Sequence, residues 1–308
     1  MEIYLPIAEL SMNVFVLLGL GGAAGLLAGM FGVGGGFLAT PLLIFVGIPP
    51  AVAVASQANQ VVANSISSLQ VHWRRGNVDL RMGLVLLLGG MIGSSAGVSL
   101  FTWLKAIGQI DFVIAVLYVV MLSTIGVLML IESARTYIRR RRNPEAPRGK
   151  LHTHYLVHRL PLKLRFYKSK LYISALLPIG IGFVIGVLSA VLGVGGGFVL
   201  VPAMIYILGM PTAVVIGTSN FQILFVAANV TFLQAATNGT VDVVLALLLI
   251  LGGVVGAPIG SRIAAKLPGV VLRGLMSVLI LVVAVELLTE LLRTPSSLYS
   301  LGVRQVMP

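Results

Sequence analysis

Apolar runs of about twenty residues, each long enough to cross the hydrocarbon core of a bilayer as a helix, recur along most of this chain. A water-soluble fold has nowhere to hide so much apolar surface: 58% of the 308 residues are hydrophobic, 10% are charged, and mean hydropathy is +1.05. The chain therefore reads as an all-α, polytopic helical membrane protein. Glu2 and Glu9 are the only charges ahead of the first apolar run, so the basic start of a cleaved secretory signal is not expected. With no cysteine in the chain, disulfides, thiolate metal sites and cysteine nucleophiles are excluded.

The apolar runs fall into two matching series. The first comprises segments 12–31, 35–48, 50–71, 81–103 and 110–131; the second comprises 171–192, 196–209, 211–236, 241–265 and 270–292. Gly32 to Phe37 aligns with Gly193 to Phe198, Pro41 with Pro202, Gln60 with Gln222, and Asp79 with Asp242. The ladder Gly89, Gly93, Gly97 matches Gly252, Gly256, Gly260. This is an internal duplication of a five-segment unit, and ten crossings are expected. The expected domains are a first transmembrane repeat at 1–132, a basic cytoplasmic linker at 133–170, a second repeat at 171–294 and a tail at 295–308.

Charge sets the expected orientation. The formal net charge is +12, yet twelve of the 21 Lys and Arg lie between Arg135 and Lys170, which reads as a loop facing anionic headgroups rather than a nucleic-acid surface. If that loop is cytoplasmic and every segment crosses, Arg74, Arg75, Arg81, Arg262, Lys266 and Arg273 are also inside. Only Lys105, Arg293 and Arg304 then lie outside, and both termini are external. Treating the two short segments as re-entrant would move Arg262, Lys266 and Arg273 outward, so ten crossings is the better reading. Five crossings per unit is an odd number, which inverts the second unit relative to the first.

The GVGGG stretches at Gly32 to Gly36 and Gly193 to Gly197 precede the shortest apolar runs. About fourteen helical residues rise only about 21 Å against a core of about 30 Å. The glycines are therefore expected below the surface, as non-helical backbone beside a polar cavity, with the N-terminus of a short helix directed into it. Gly34, Gly35, Gly36, Gly195, Gly196 and Gly197 are the candidate backbone donors to an anion. The alternative is packing alone, which certainly suits the Gly21, Gly25, Gly29 series. The polar segments beside the motif add Ser56, Gln57 and Gln60 from one unit and Thr218, Ser219 and Gln222 from the other. Their amides and hydroxyls could hold an oxyanion without a fixed charge, or could serve as interhelical glue.

Glu286 is the one acid deep in an apolar run and a candidate for coupling or an interfacial residue. Asp79 and Asp242 follow turn residues and read as helix starts. His152, His154 and His158 lack carboxylate or cysteine companions, so neither a metal nor a cofactor is expected. HExxH, GxSxG and nucleotide-loop motifs are absent, which argues against an enzyme.

The paired GVGGG(F)...P stretches, the SQ and TSN starts of the polar segments, and the blocks HWRRGNVDLRMGLVLLLGGMIG and GTVDVVLALLLILGGVVGAPIGSRIAAKLP together resemble the sulfite exporter TauE/SafE family. The resemblance runs from about Val14 to Leu292 and implies a permease of the bacterial inner membrane. Its substrates would be small anions such as sulfite or organosulfonates, moved outward by alternating access. An anion channel and proton-coupled uptake of a small organic anion are the alternatives. The glycine ladders are compatible with a homodimer, and equally with packing inside one bundle.

Overall fold

Long apolar segments bounded by glycine, proline and charge form helices here, because a helix satisfies its own backbone where water is scarce. The computed structural model describes residues 2–31, 36–142, 162–169, 171–266 and 269–292. A hairpin of β1 (Glu2–Leu5) and β2 (Leu10–Asn13) leads into α1 (Val14–Phe31), α2 (Gly36–Phe45), α3 (Pro50–Arg74), α4 (Leu80–Ala106) and α5 (Ile110–Arg142). A second hairpin, β3 (Lys163–Phe166) with β4 (Leu171–Ser174), leads into α6 (Leu176–Leu192), α7 (Gly197–Tyr206), α8 (Thr212–Leu233), α9 (Val243–Lys266) and α10 (Gly269–Leu292). One π-helical turn, Gln234–Asn238, extends α8. Both hairpins are antiparallel, pairing Leu5 with Leu10 and Phe166 with Leu171 across four-residue turns.

Among the described residues five helical stretches are long and apolar enough to cross a bilayer: Leu80–Ala106, Ile110–Thr136, Val214–Asn238, Val243–Ile263 and Gly274–Leu292. α3 has 25 residues but is too polar to join them. The surface is apolar where these helices face outward, with Leu88 and Ile92 of α4 61% and 62% exposed, whereas Gln57 and Gln60 of α3 and Asn220 and Gln222 of α8 are buried. Apolar outside and polar within is the arrangement a lipid solvent demands, and the chain is a multi-pass membrane protein.

Glycine seams hold the helices together. Gly21, Gly25 and Gly29 of α1 approach Leu249, Gly253 and Ala257 of α9 in the same order, so these helices run parallel. Gly89 and Gly93 of α4 approach Ile179 and Phe183 of α6 in the same way. A β-carbon at Gly29 would overlap the Ala257 carbonyl oxygen, and one at Gly89 the Ile179 carbonyl oxygen. Each series thus pairs its first helix with the fourth helix of the other. The fifth helices pair with each other: Gly126 of α5 faces Ile280 and Leu281, while Gly274 of α10 faces the Ser133 hydroxyl, an antiparallel contact.

Two short findings differ from the sequence expectation. The basic run Arg139 to Arg142, read as loop, continues α5 as helix, since arginine is a good helix former and a basic last turn suits the helix dipole. The β3–β4 hairpin runs across the expected boundary between residues 170 and 171. Each hairpin turn is seated on an aspartate from the opposite series. Asp242 Oδ2 accepts from the Ile7 amide at 3.0 Å, and Asp79 Oδ2 accepts from the Ser169 amide at 3.0 Å and hydroxyl at 2.6 Å. The other carboxylate oxygens cap helices, accepting from Leu245 N and Met82 N.

Two outcomes follow from these contacts. Gly256→Leu, which would drive a side chain into the Gly22 carbonyl, should destabilise the protein by about 1–3 kcal/mol or more, whereas Gly19→Leu, with open space around it, should not; thermal unfolding in detergent distinguishes them. Asp242→Ala should speed amide exchange at Ile7 and leave Ser169 protected, and Asp79→Ala should do the reverse.

Candidate functional site

Glycine's freedom of φ is used where the second GVGGG turns. Gly193, Gly195 and Gly196 adopt φ of 67°, 70° and 75°, a left-handed backbone that side chains rarely take, and α7 starts at Gly197 with no side chain capping it. Its first N–H groups lack intrahelical partners by geometry and lie at the positive end of the helix dipole. The turn is buried. A β-carbon at Gly195 would overlap Val61 of α3 and lie 3.1 Å from Ile223 of α8.

The first copy meets it there. A β-carbon at Gly36, the first residue of α2, would lie 2.8 Å from Val61 and 3.0 Å from the Val194 carbonyl oxygen. Phe37 and Phe198, each next in sequence to its glycines, stack with ring centroids 4.4 Å apart and planes 8° from parallel. The starts of the two short helices are therefore neighbours at the centre of the molecule. Gly34 and Gly35 lie outside the described residues. With ten residues each, α2 and α7 rise about 15 Å, and each carries an internal proline, Pro41 or Pro202.

Val61 and Ile223 bring α3 and α8 against this turn, and the six polar residues of these helices named from sequence are fully buried. They do not share one task. The Ser56 hydroxyl accepts from the Asp242 amide at 2.9 Å, and the Thr218 hydroxyl accepts from the Asp79 amide at 3.0 Å. These two brace the helix starts of the opposite series. Because Ser56 opens α3 and Asp242 lies past the end of α8, while Thr218 opens α8 and Asp79 lies past the end of α3, the two helices run antiparallel. Ser219 donates back to the Ile216 carbonyl of its own helix at 3.1 Å.

Gln60 Nε2 donates to the carbonyls of Gly21 at 3.1 Å and Leu249 at 2.9 Å, strapping α1 to α9 at the glycine seam. Its Oε1 accepts from Gln57 Nε2 at 2.7 Å. Gln222 occupies the matching place against the other seam, where a β-carbon at Gly90 would lie 2.6 Å from its Nε2. It makes no such strap. Both Gln222 amide atoms and Gln57 Oε1 are buried without a partner among the described residues, a condition that costs about 1–3 kcal/mol per group unless another group, a ligand or water satisfies it. Gln57 precedes Val61, which lies against Gly36 and Gly195, by one helical turn.

Other polar residues are tied off. Asn229 donates to the Ser94 and Ser95 hydroxyls at 2.9 and 3.2 Å, which glues α8 to α4. Glu286 is exposed on α10. Among the described residues no three His, Asp or Glu side chains converge to hold a metal ion.

Sequence reasoning missed Tyr118. It is fully buried in α5, beside Thr40, and its hydroxyl donates to the Leu192 carbonyl at 2.5 Å, directly before the second glycine turn. The signal was a single tyrosine in an otherwise apolar run, with Ile280 at the corresponding place in α10.

The family described as "Sulfite exporter TauE/SafE" matches residues 17–287. A "Probable membrane transporter protein" of Xylella fastidiosa (strain 9a5c) is 30% identical over 82% of this chain and 86% of its own length. The "Probable membrane transporter protein YjnA" of Bacillus subtilis (strain 168) is 29% identical over 90% of this chain and 100% of its own length. No solved structure matches significantly. With a family match spanning most of its length, and a glycine-turn centre to go with it, the chain belongs to the sulfite exporter TauE/SafE family.

Proposed function

We propose that this protein is a secondary transporter that moves small anions, such as sulfite or organosulfonates, outward across the bacterial inner membrane by alternating access. The observation that carries the proposal is the start of α2 meeting the second glycine turn against α3 and α8, helices that carry buried amide atoms without a partner among the described residues, Gln57 Oε1 and both ends of Gln222. In this reading the N–H groups at Gly34 to Gly36 and Gly195 to Gly197 face the anion, and Gln57 and Gln222 complete its coordination. Two helix starts attract negative charge without a lysine or arginine that would hold it permanently. Ser56 and Thr218 position the surrounding helix starts, and Ser219 is available only by giving up its bond to Ile216.

Ten crossings in two inverted units remain the proposed topology, with the segment around residues 133–170 cytoplasmic and both termini outside. The antiparallel pairing of α3 with α8 and of α5 with α10 supports it, because an even number of crossings per unit would make those pairs parallel. The exchange of partners between first and fourth helices supports rocking of one bundle against the other about the central turns. The membrane potential, negative inside, drives a monovalent anion outward by about 2.3 kcal/mol per 100 mV, so export needs no coupling ion. Proton-coupled uptake is the second reading only if Glu286, exposed on α10, is shown to matter for flux.

Radiolabelled sulfite flux from proteoliposomes under an imposed potential tests the reading, with taurine, sulfoacetate and sulfate as competitors. Saturable, potential-driven flux competed by one of these anions is expected; flux linear in concentration would identify a channel, and no flux of any anion would end the proposal. The amides give a sharper outcome. Gln222→Leu should leave thermal stability unchanged or raised, since it removes an unsatisfied buried group, yet lower flux at least about tenfold. Gln60→Leu should lower stability by about 1–3 kcal/mol through loss of the α1–α9 strap.

A further inference from the structure

The two hairpins share a construction but not a surface. At the second, a cavity of about 200 Å³ opens between the start of α4 and the β3–β4 turn, lined by Val78, Asp79, Leu80, Arg81, Tyr167 and Lys168. Tyr167 forms its shelf. The Arg81 guanidinium lies 5.1 Å and the Arg165 guanidinium 5.6 Å from the centre of the tyrosine ring. Lys168 Nζ sits beside them, donating one hydrogen bond to the Gly76 carbonyl at 3.1 Å.

Among the described residues no carboxylate pairs with these cations. Asp79, which also lines the cavity, has both oxygens occupied by Met82 N and by the Ser169 amide and hydroxyl. At the first hairpin the corresponding positions hold Tyr4, Pro6, Ile7 and Val244, none of them cationic, so the latch itself does not require the charges.

We propose that this cavity is a binding site for an anionic phospholipid, with the phosphate held by Arg81, Arg165 and Lys168 over Tyr167. The feature that selects a lipid rather than a free anion runs down α4. Leu84 and Leu88, three and seven residues beyond Arg81, share its face, and they are 52% and 61% exposed. A phosphate in the cavity places its acyl chains along that apolar stripe, where a soluble oxyanion has nothing to contact. Trp73, 51% exposed at the end of α3, marks the same level as interfacial. Arginine planes stacked on an aromatic ring are also preorganised for two-pronged hydrogen bonds to phosphate.

The test is native mass spectrometry of the full chain in detergent, titrated with phosphatidylglycerol, phosphatidylcholine, or glycerol phosphate as the headgroup without chains. The wild type should retain phosphatidylglycerol over phosphatidylcholine, and Arg81→Gln/Arg165→Gln should weaken phosphatidylglycerol roughly thirtyfold, on about a factor of five per cation. Arg262→Gln, an exposed cation elsewhere, should have no effect, and Tyr167→Leu should weaken binding while keeping the net charge. Equal retention by wild type and the double variant would overturn the site. So would effective competition by glycerol phosphate, which would make it a pocket for soluble anions. Neither readout involves transport, so failure of the proposed central site would leave this result unaffected.

Discussion

Backbone against backbone is the contact on which the rest of this structure depends. α1 meets α9, and α4 meets α6, so closely that a single β-carbon at Gly29, Gly89 or Gly256 would strike a carbonyl oxygen. In lipid, where apolar side chains gain little by leaving their solvent, such close van der Waals packing is what holds helices together. Because each seam joins the first helix of one series to the fourth of the other, neither series has a complete set of partners alone. The polar helices α3 and α8 sit between the two seams, and their glutamines read those seams directly. Gln60 bonds carbonyls on both sides of one, while Gln222 lies against the other without bonding it.

That difference separates two helices of matching placement. The strap at Gln60 fixes α1 relative to α9, and Gln57 completes it by occupying the remaining oxygen. Ser219 stands where Gln57 stands in the other series and is turned onto its own helix, so it does not engage Gln222. A duplicated scaffold therefore carries one closed and one open polar arrangement within a single conformation.

Much of this was legible in the sequence because lipid makes the rules strict. The helix positions followed from apolar runs and their punctuation, and the helix starts at Asp79 and Asp242 from their turn residues. The hairpins were not legible, since four-residue strands carry no periodic signal of their own. α5 was read too short because hydropathy marks where a helix leaves the membrane, not where it ends. The six buried polar residues were found together, but their separate duties were hidden. Whether a hydroxyl meets an aspartate amide 139 or 186 residues away is a tertiary fact. Tyr118 was passed over because one aromatic in an apolar run looks like ordinary core.

The crossed seating of the hairpins also bears on how the chain is assembled. The turn at Ile7 rests on Asp242, and α1, next to it, packs against α9, so the earliest part of the chain has its permanent neighbours 235 residues later. During synthesis the first hairpin and the glycine face of α1 stand in the membrane without them, while the second hairpin finds Asp79 already in place as it emerges. Assembly thus runs unevenly for two halves of matching design: the second docks as it is made, and the first waits for nearly the whole polypeptide before it is held.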